Sequence, residues 1–196
     1  MFAQMKHMAI VSSNCNQEGD FYRDVFGLKR SGLARAGGAV VVRDGYVGLN
    51  LNPRAPGRQA GFDHFGFEVE NVETVFARVN EKYPKIKILK RPGNRPFAGI
   101  SLHDPAGNVF DLSQKGMENR RDLYVESDQA KPRRVSHIAL RVLEPDLTAE
   151  FYRTVFDLLE LEKPAGDPNH YLSDGQVTLA IFRWQITDYE GSGIER

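Results

Sequence analysis

Four side chains of this sequence could hold a metal ion between them: His7, Asn50, His64 and Asp111. Two imidazoles and one carboxylate with positions left open suit a divalent transition metal, iron(II) first, with manganese, nickel, cobalt or zinc as the other candidates. Asn50 would add a neutral amide oxygen. A cation held this way acts as a Lewis acid toward a small organic molecule with two neighbouring oxygens. Other candidates carry less. His137 has no evident partner, and Ala180 stands where an amide would be needed. His170 and Tyr171 precede a strand and read as surface residues. Cys15 sits at a helix start, where a thiol pKa can fall, but nothing pairs with it as a base.

The four ligands are far apart in the chain, so strands must bring them to one place. In a strand, alternate side chains face opposite sides. His7, Ala9 and Val11 share one side, and Met8 and Ile10 the other. His64, Gly66 and Glu68 oppose Phe65, Phe67 and Val69, and His137, Ala139 and Arg141 oppose Ile138, Leu140 and Val142. Each time the bulky residues share the side on which a helix must pack. Each histidine takes the other side, beside alanine or glycine, where there is room for a pocket. By the same alternation Asn50 and Asp111 face the pocket, while Leu49, Leu51, Phe110 and Leu112 pack.

These strands belong to a repeating unit. Lys6–Leu28 and Ser136–Leu158 match without gaps at an offset of 130 residues. The match covers His7 with His137, Phe21-Tyr22-Arg23 with Phe151-Tyr152-Arg153, and Val25-Phe26 with Val155-Phe156. It continues through Asp44-Gly45 and Asp174-Gly175, a strong hairpin signal. An ungapped repeat means one supersecondary unit used more than once. The unit reads as a strand (Met5–Ser12), a helix (Asn14–Phe26) stopped at Gly27, then strands at Ala39–Arg43 and Tyr46–Leu51. Phe21, Tyr22, Val25 and Phe26 form the helix's apolar stripe and are expected in the core. A diverged copy begins at Phe62, with a helix face at Val72, Val75, Phe76 and Val79 and a closing strand at Val109–Ser113.

The expected architecture is mixed α+β. Two βαβββ modules (5–60 and 61–115) form an open barrel-like sheet in a domain over 1–115. A polar linker follows over 116–134, then a third βαβββ module over 135–196. The third module looks orphaned. A fourth histidine strand should begin near residue 194, so either a longer chain is cut there or the third module pairs with another molecule.

Composition limits the function classes. Apolar residues are 41% and charged residues 27%, as in ordinary globular proteins. Twenty-six basic and 26 acidic residues cancel, so nucleic acid and anionic membranes are not expected partners. The basic clusters Arg120-Arg121 and Lys131-Pro132-Arg133-Arg134 read as solvated linker. The single cysteine fits a reducing compartment, and neither a signal peptide nor a membrane span is visible. A cytoplasmic protein that assembles with identical copies and binds a small-molecule substrate is the expectation.

Paired strand–helix–three-strand units with a histidine in each first strand resemble the vicinal oxygen chelate superfamily. That superfamily includes glyoxalases, methylmalonyl-CoA epimerases, extradiol dioxygenases and bleomycin-binding resistance proteins. The segment His103-Asp104-Pro105-Ala106-Gly107-Asn108-Val109-Phe110-Asp111-Leu112 resembles its aspartate-proline-x-glycine turn and ligand strand. The resemblance implies metal ligands at His7, His64 and Asp111, with Asn50 in an optional fourth place. Two departures bear on the reaction. Asp111 stands where the family usually has glutamate, and Asn50 replaces the glutamate that glyoxalases use as a base. By layout the chain resembles extradiol dioxygenases most. Their pattern, however, has tyrosine where this chain has Ser101, and histidine near Pro92, Gly93 and Asn94. The reading is a dioxygenase-like metalloenzyme. Its alternatives are a glyoxalase- or epimerase-like enzyme and a metal-free protein that sequesters a small ligand.

Overall fold

The apolar alternation of the first strand becomes β1 (Ala3–Ser12), and each later element takes its place around it. A computed structural model describes residues 1–31, 36–91, 97, 99–116 and 135–185. Pro92, Gly93, Asn94, both basic clusters and nearly all of the expected linker lie outside the described residues.

Helix α1 (Cys15–Phe26) starts where the Asn14 side chain accepts a hydrogen bond from the Gln17 N–H. It stops at Gly27, whose φ of 68° is the left-handed conformation that glycine adopts without penalty. Strands β2 (Lys29–Arg30), β3 (Val40–Arg43) and β4 (Gly48–Pro53) complete the first unit. The second runs through β5 (Gly61–Val69), α2 (Val72–Lys82), β6 (Leu89–Lys90), β7 (Ile100–His103) and β8 (Val109–Gln114). The third has β9 (His137–Val142), α3 (Pro145–Phe156), β10 (Leu159–Glu160), β11 (His170–Ser173) and β12 (Thr178–Arg183).

The first two units share one eight-stranded open sheet in the order β2-β3-β4-β1-β5-β8-β7-β6. The halves mirror each other and meet where β1 runs antiparallel to β5. The third unit forms a separate four-stranded sheet, β10-β11-β12-β9. Among the described residues β9 pairs only with β12, so its other edge carries no strand.

Reciprocal contacts tie the third unit to the first. Asp44 and Asp174 occupy the same place in the repeat, and each binds the backbone of its own turn. The second oxygen of Asp44 accepts the N–H of Val135, and that of Asp174 accepts the N–H of Met5 at 2.6 Å. Met5 and Val135 are also equivalent in the repeat, so the two units exchange the same bond about a local twofold axis.

The repeated aromatic stripe meets two fates. On α3, Phe151, Tyr152, Val155 and Phe156 are fully buried, because the helix lies against the aromatic face of the second unit. There Phe156 stacks on Phe67 at 4.3 Å. The Tyr152 hydroxyl donates to buried Asp104 in the turn before β8. On α1 the expected core placement is overturned: Phe21 is 50% exposed, Val25 46% and Phe26 44%. Only Tyr22 of that stripe packs, alongside the small face formed by Cys15 and Gly19. That face sits so close to β3 that a Cβ on Gly19 would lie 2.8 Å from Val40. No second aromatic surface covers the far side of α1 among the described residues. No described helix is long and apolar enough to cross a membrane.

Candidate metal centre

The centre lies where β1, β5 and β8 adjoin on the face opposite the helices. Gly66 is the Cα partner of both His7 on β1 and Asp111 on β8, so these three residues form one row across the sheet. His64 and Ala9 form the next row. With no side chain on Gly66, the Phe97 ring comes down onto the sheet between His7 and Asp111, where a Cβ would lie 2.6 Å from its Cε1.

Nε2 of His7 lies 3.1 Å from Nε2 of His64, which lies 3.1 Å from Oδ2 of Asp111. All three candidate ligand atoms fall within 4.8 Å of one another. Neighbouring ligands on one metal at roughly 2.1 Å stand roughly 3.0–3.5 Å apart, so this spacing fits a shared divalent ion. His7 and Asp111 are buried, and the His64 side chain is 13% exposed.

Both flanks of the trio are held. The Asp111 carboxylate also accepts from the Ser101 hydroxyl, and Ser101 accepts from Nε of Arg91 at 2.8 Å. His64 donates from Nδ1 to Asp63 at 2.9 Å, and Asp63 is paired with Arg58. His7 is covered by Phe97, whose ring stacks on it at 4.6 Å and 12°. Burial pulls His64 toward its neutral form, but its hydrogen bonds to Asp111 and Asp63 and their charges outweigh this, and the pKa rises to about 9. Burial raises the Asp111 pKa, but the hydrogen bond and charge of His64 overcome it and hold the carboxyl below its usual range. Hydrogen bonding to His64 does the same for Asp63, against a smaller effect of burial.

The fold thus brings together His7, His64 and Asp111. Asn50 lies on the same face, paired with Ala9 on the side of β1 away from His64. Its Cα is therefore two strand spacings from that of His64, roughly 10 Å. The remaining candidates fall elsewhere. His137 is exposed, with Ser136 as its neighbour. His170, expected at the surface, is buried between Glu160 at 2.5 Å and Asp146 at 2.8 Å. The Cys15 pKa is raised, not lowered, because burial of the thiol outweighs its hydrogen bonds. Two surface hollows, of about 410 Å³ beside Leu147 and Trp184 and about 390 Å³ beside Tyr83 and His103, include none of the three ligands.

Sequence reasoning missed Asp63, Arg58, Arg91 and Phe97. Asp63 is adjacent to His64, but strict alternation would put it on the other face. Two bulges break that alternation. Met5 pairs with Phe67 and His7 with Gly66, leaving Lys6 as an extra residue. Ala9 pairs with His64 and Ile10 with Phe62, leaving Asp63 as another. Bulges re-aim side chains in this way beside functional sites. The first lets Met5 enter the core while His7 faces His64 on the opposite side of the sheet.

The family model described as Glyoxalase/Bleomycin resistance protein/Dioxygenase superfamily matches residues 4–112. No curated protein matches the chain. Among solved structures, the Mn(II)-bound glyoxalase from Novosphingobium aromaticivorans is similar, with 20% identity, a TM-score of 0.71, and coverage of 93% of this chain and 62% of that one. The 2,3-dioxygenase LapB from Pseudomonas sp. KL28 has 17% identity and a TM-score of 0.69 over 92% of this chain and 70% of its own. BphC, a halotolerant catechol dioxygenase, has 16% identity and a TM-score of 0.67 over 93% of this chain and 66% of its own. This chain therefore spans roughly two thirds of these structures' length, and 33% of a fusion protein of a xylose isomerase-like TIM barrel with a 4-hydroxyphenylpyruvate dioxygenase.

Proposed function

Since the chain belongs to the Glyoxalase/Bleomycin resistance protein/Dioxygenase superfamily, we propose that His7, His64 and Asp111 bind one divalent metal ion and present it to a small organic molecule with adjacent oxygens. The observation that carries this reading is the convergence of two Nε2 atoms and one carboxylate oxygen beside Gly66, with Nε2 of His64 3.1 Å from each of the other two. A proton or a cation must lie between such atoms to make the arrangement favourable. A bound divalent cation supplies Lewis-acid stabilisation of charge developing on the substrate's oxygens.

The chain's own residues supply the rest. Arg91 and Ser101 fix the orientation of Asp111. Phe97 covers the ring of His7 and keeps water from that side. One carboxylate against a divalent ion leaves a net positive site, which suits an anionic ligand such as a catecholate. Two histidines with one carboxylate favour iron(II) and a ring-cleaving dioxygenase over a glyoxalase, because the neutral Asn50 supplies no carboxylate base. In the metal-free reading, in which this face only sequesters a ligand, protons alone hold the three side chains together.

Titration of chelator-treated full chain with iron(II), manganese(II) and cobalt(II) under reducing, oxygen-free conditions tests the site. One equivalent per chain is expected, and His7→Ala with His64→Ala should remove it. Unchanged uptake in that double variant would refute the site. Oxygen consumption by the iron-loaded protein with a panel of catechols tests the reaction class. Metal uptake without oxygen consumption would move the reading to the glyoxalase- or epimerase-like alternative.

A further inference from the structure

The second bulge offers more than local geometry. Asp63 and His64 are consecutive in β5, so a regular strand would direct their side chains to opposite faces. The register shift between Ala9 and Ile10 leaves Asp63 without a paired residue on β1. The chain kinks there, and the Asp63 carboxylate comes to 2.9 Å from Nδ1 of His64. Its second oxygen is held by Arg58, in the segment between β4 and β5. Arg58 is itself anchored by its backbone N–H to the carbonyl of Ala55.

The bond assigns each ring nitrogen a task. Nδ1 carries a hydrogen and donates it to Asp63. Nε2, which faces His7 and Asp111, is then the nitrogen that gives up its proton to Asp111 or solvent and offers its lone pair when an ion binds. Resting on the metal-site reading above, we infer that Asp63 is the positioning carboxylate of the centre: it fixes the ring plane of His64 and presents Nε2 to the ion. Arg58, Asp63 and His64 on one side then correspond to Arg91, Ser101 and Asp111 on the other. Each ligand on an open flank is backed by a hydrogen-bonding side chain that is itself held by an arginine. Metal-binding histidines commonly carry such a partner on the second nitrogen.

The test compares cobalt(II) binding to chelator-treated wild type, Asp63→Ala, Asp63→Asn and His7→Ala, by calorimetry and by the visible absorption of the bound ion. Asp63→Ala should weaken binding by ~10–100-fold at unchanged stoichiometry and shift the absorption bands, because His64 no longer holds one orientation. Asp63→Asn keeps an acceptor oxygen without the charge, so its affinity should fall between the two. A residue that only supported the strand would lower the melting temperature of the metal-free protein and leave affinity and spectrum alone. If folded Asp63→Ala binds cobalt within twofold of wild type with the same spectrum, the inference is overturned while the site stands. If wild type takes up no cobalt, or His7→Ala takes it up normally, the site and the inference fall together.

Discussion

Replacing Gly66 with alanine should damage the protein in the middle of a strand where alanine is ordinarily the better residue. A Cβ there would lie 2.6 Å from Cε1 of Phe97, 3.0 Å from the carbonyl oxygen of Asp111 and 3.2 Å from Cβ of His7. Ordinary contact needs roughly 3.5–4 Å, so the Phe97 ring would have to retreat by about 1 Å. Phe97 is 2% exposed and stacked on His7, so it has little room. The other two atoms belong to paired strands and cannot move singly. Overpacking of this kind costs ~1–3 kcal/mol. The gain from replacing glycine in a strand is about 0.5–1 kcal/mol. The net expectation is a loss of ~1–2 kcal/mol in urea unfolding of the metal-free protein, with unchanged slope, and weaker metal binding because His7 is displaced. Since the largest clash is with one ring, Phe97→Leu in the same chain should recover part of the loss in a double-mutant cycle. A Gly66→Ala protein as stable as wild type, or strictly additive effects with Phe97→Leu, would refute the packing argument.

Equivalent residues of the repeat should respond unequally. Phe156→Ala should cost ~3–5 kcal/mol and Phe26→Ala less than about 1 kcal/mol in the same denaturation assay; equal losses would mean that the stripe on α1 is covered. Asp174→Ala removes the acceptor for the N–H groups of Met5, Gln176 and Val177 and for the Tyr46 hydroxyl, and should cost on the order of 3 kcal/mol. A loss under about 1 kcal/mol would show that this tie between units contributes little to stability. The metal-free protein should also lose stability toward alkaline pH. His64 rises from 6.5 to about 9 on folding, so its contribution is complete below 6.5 and disappears as pH passes through 9. Asp63 and Asp111, lowered from 3.8, act oppositely: their contribution is present above 3.8 and disappears as pH falls through their depressed values. Melting temperatures of wild type and His64→Gln in chelator should converge above about pH 9, and parallel curves from pH 6 to 10 would contradict the assignment.

Much of this molecule was legible in the linear sequence. The offset of 130 residues announced a reused unit. Alternation in the first strands placed His7 and His64 on the face opposite the helices, and the same rule placed Asp111 there, because the period of a strand depends on nothing outside it. Caps did the same for helix ends, where Asn14 and Gly27 act on their own backbone neighbours. What alternation could not supply was its own interruption. The bulges at Lys6 and Asp63 arise from pairing between β1 and β5, and they alone bring Asp63 to His64 and send Met5 into the core.

Phe21-Tyr22-Arg23 and Phe151-Tyr152-Arg153 are the same words in the chain, and they build the same helix turn. The flanking stripe is buried on α3 and bared on α1. Helix formation is settled among residues a few places apart, whereas burial depends on which distant surface arrives. The aromatic face of the second unit covers α3, and among the described residues no counterpart covers α1.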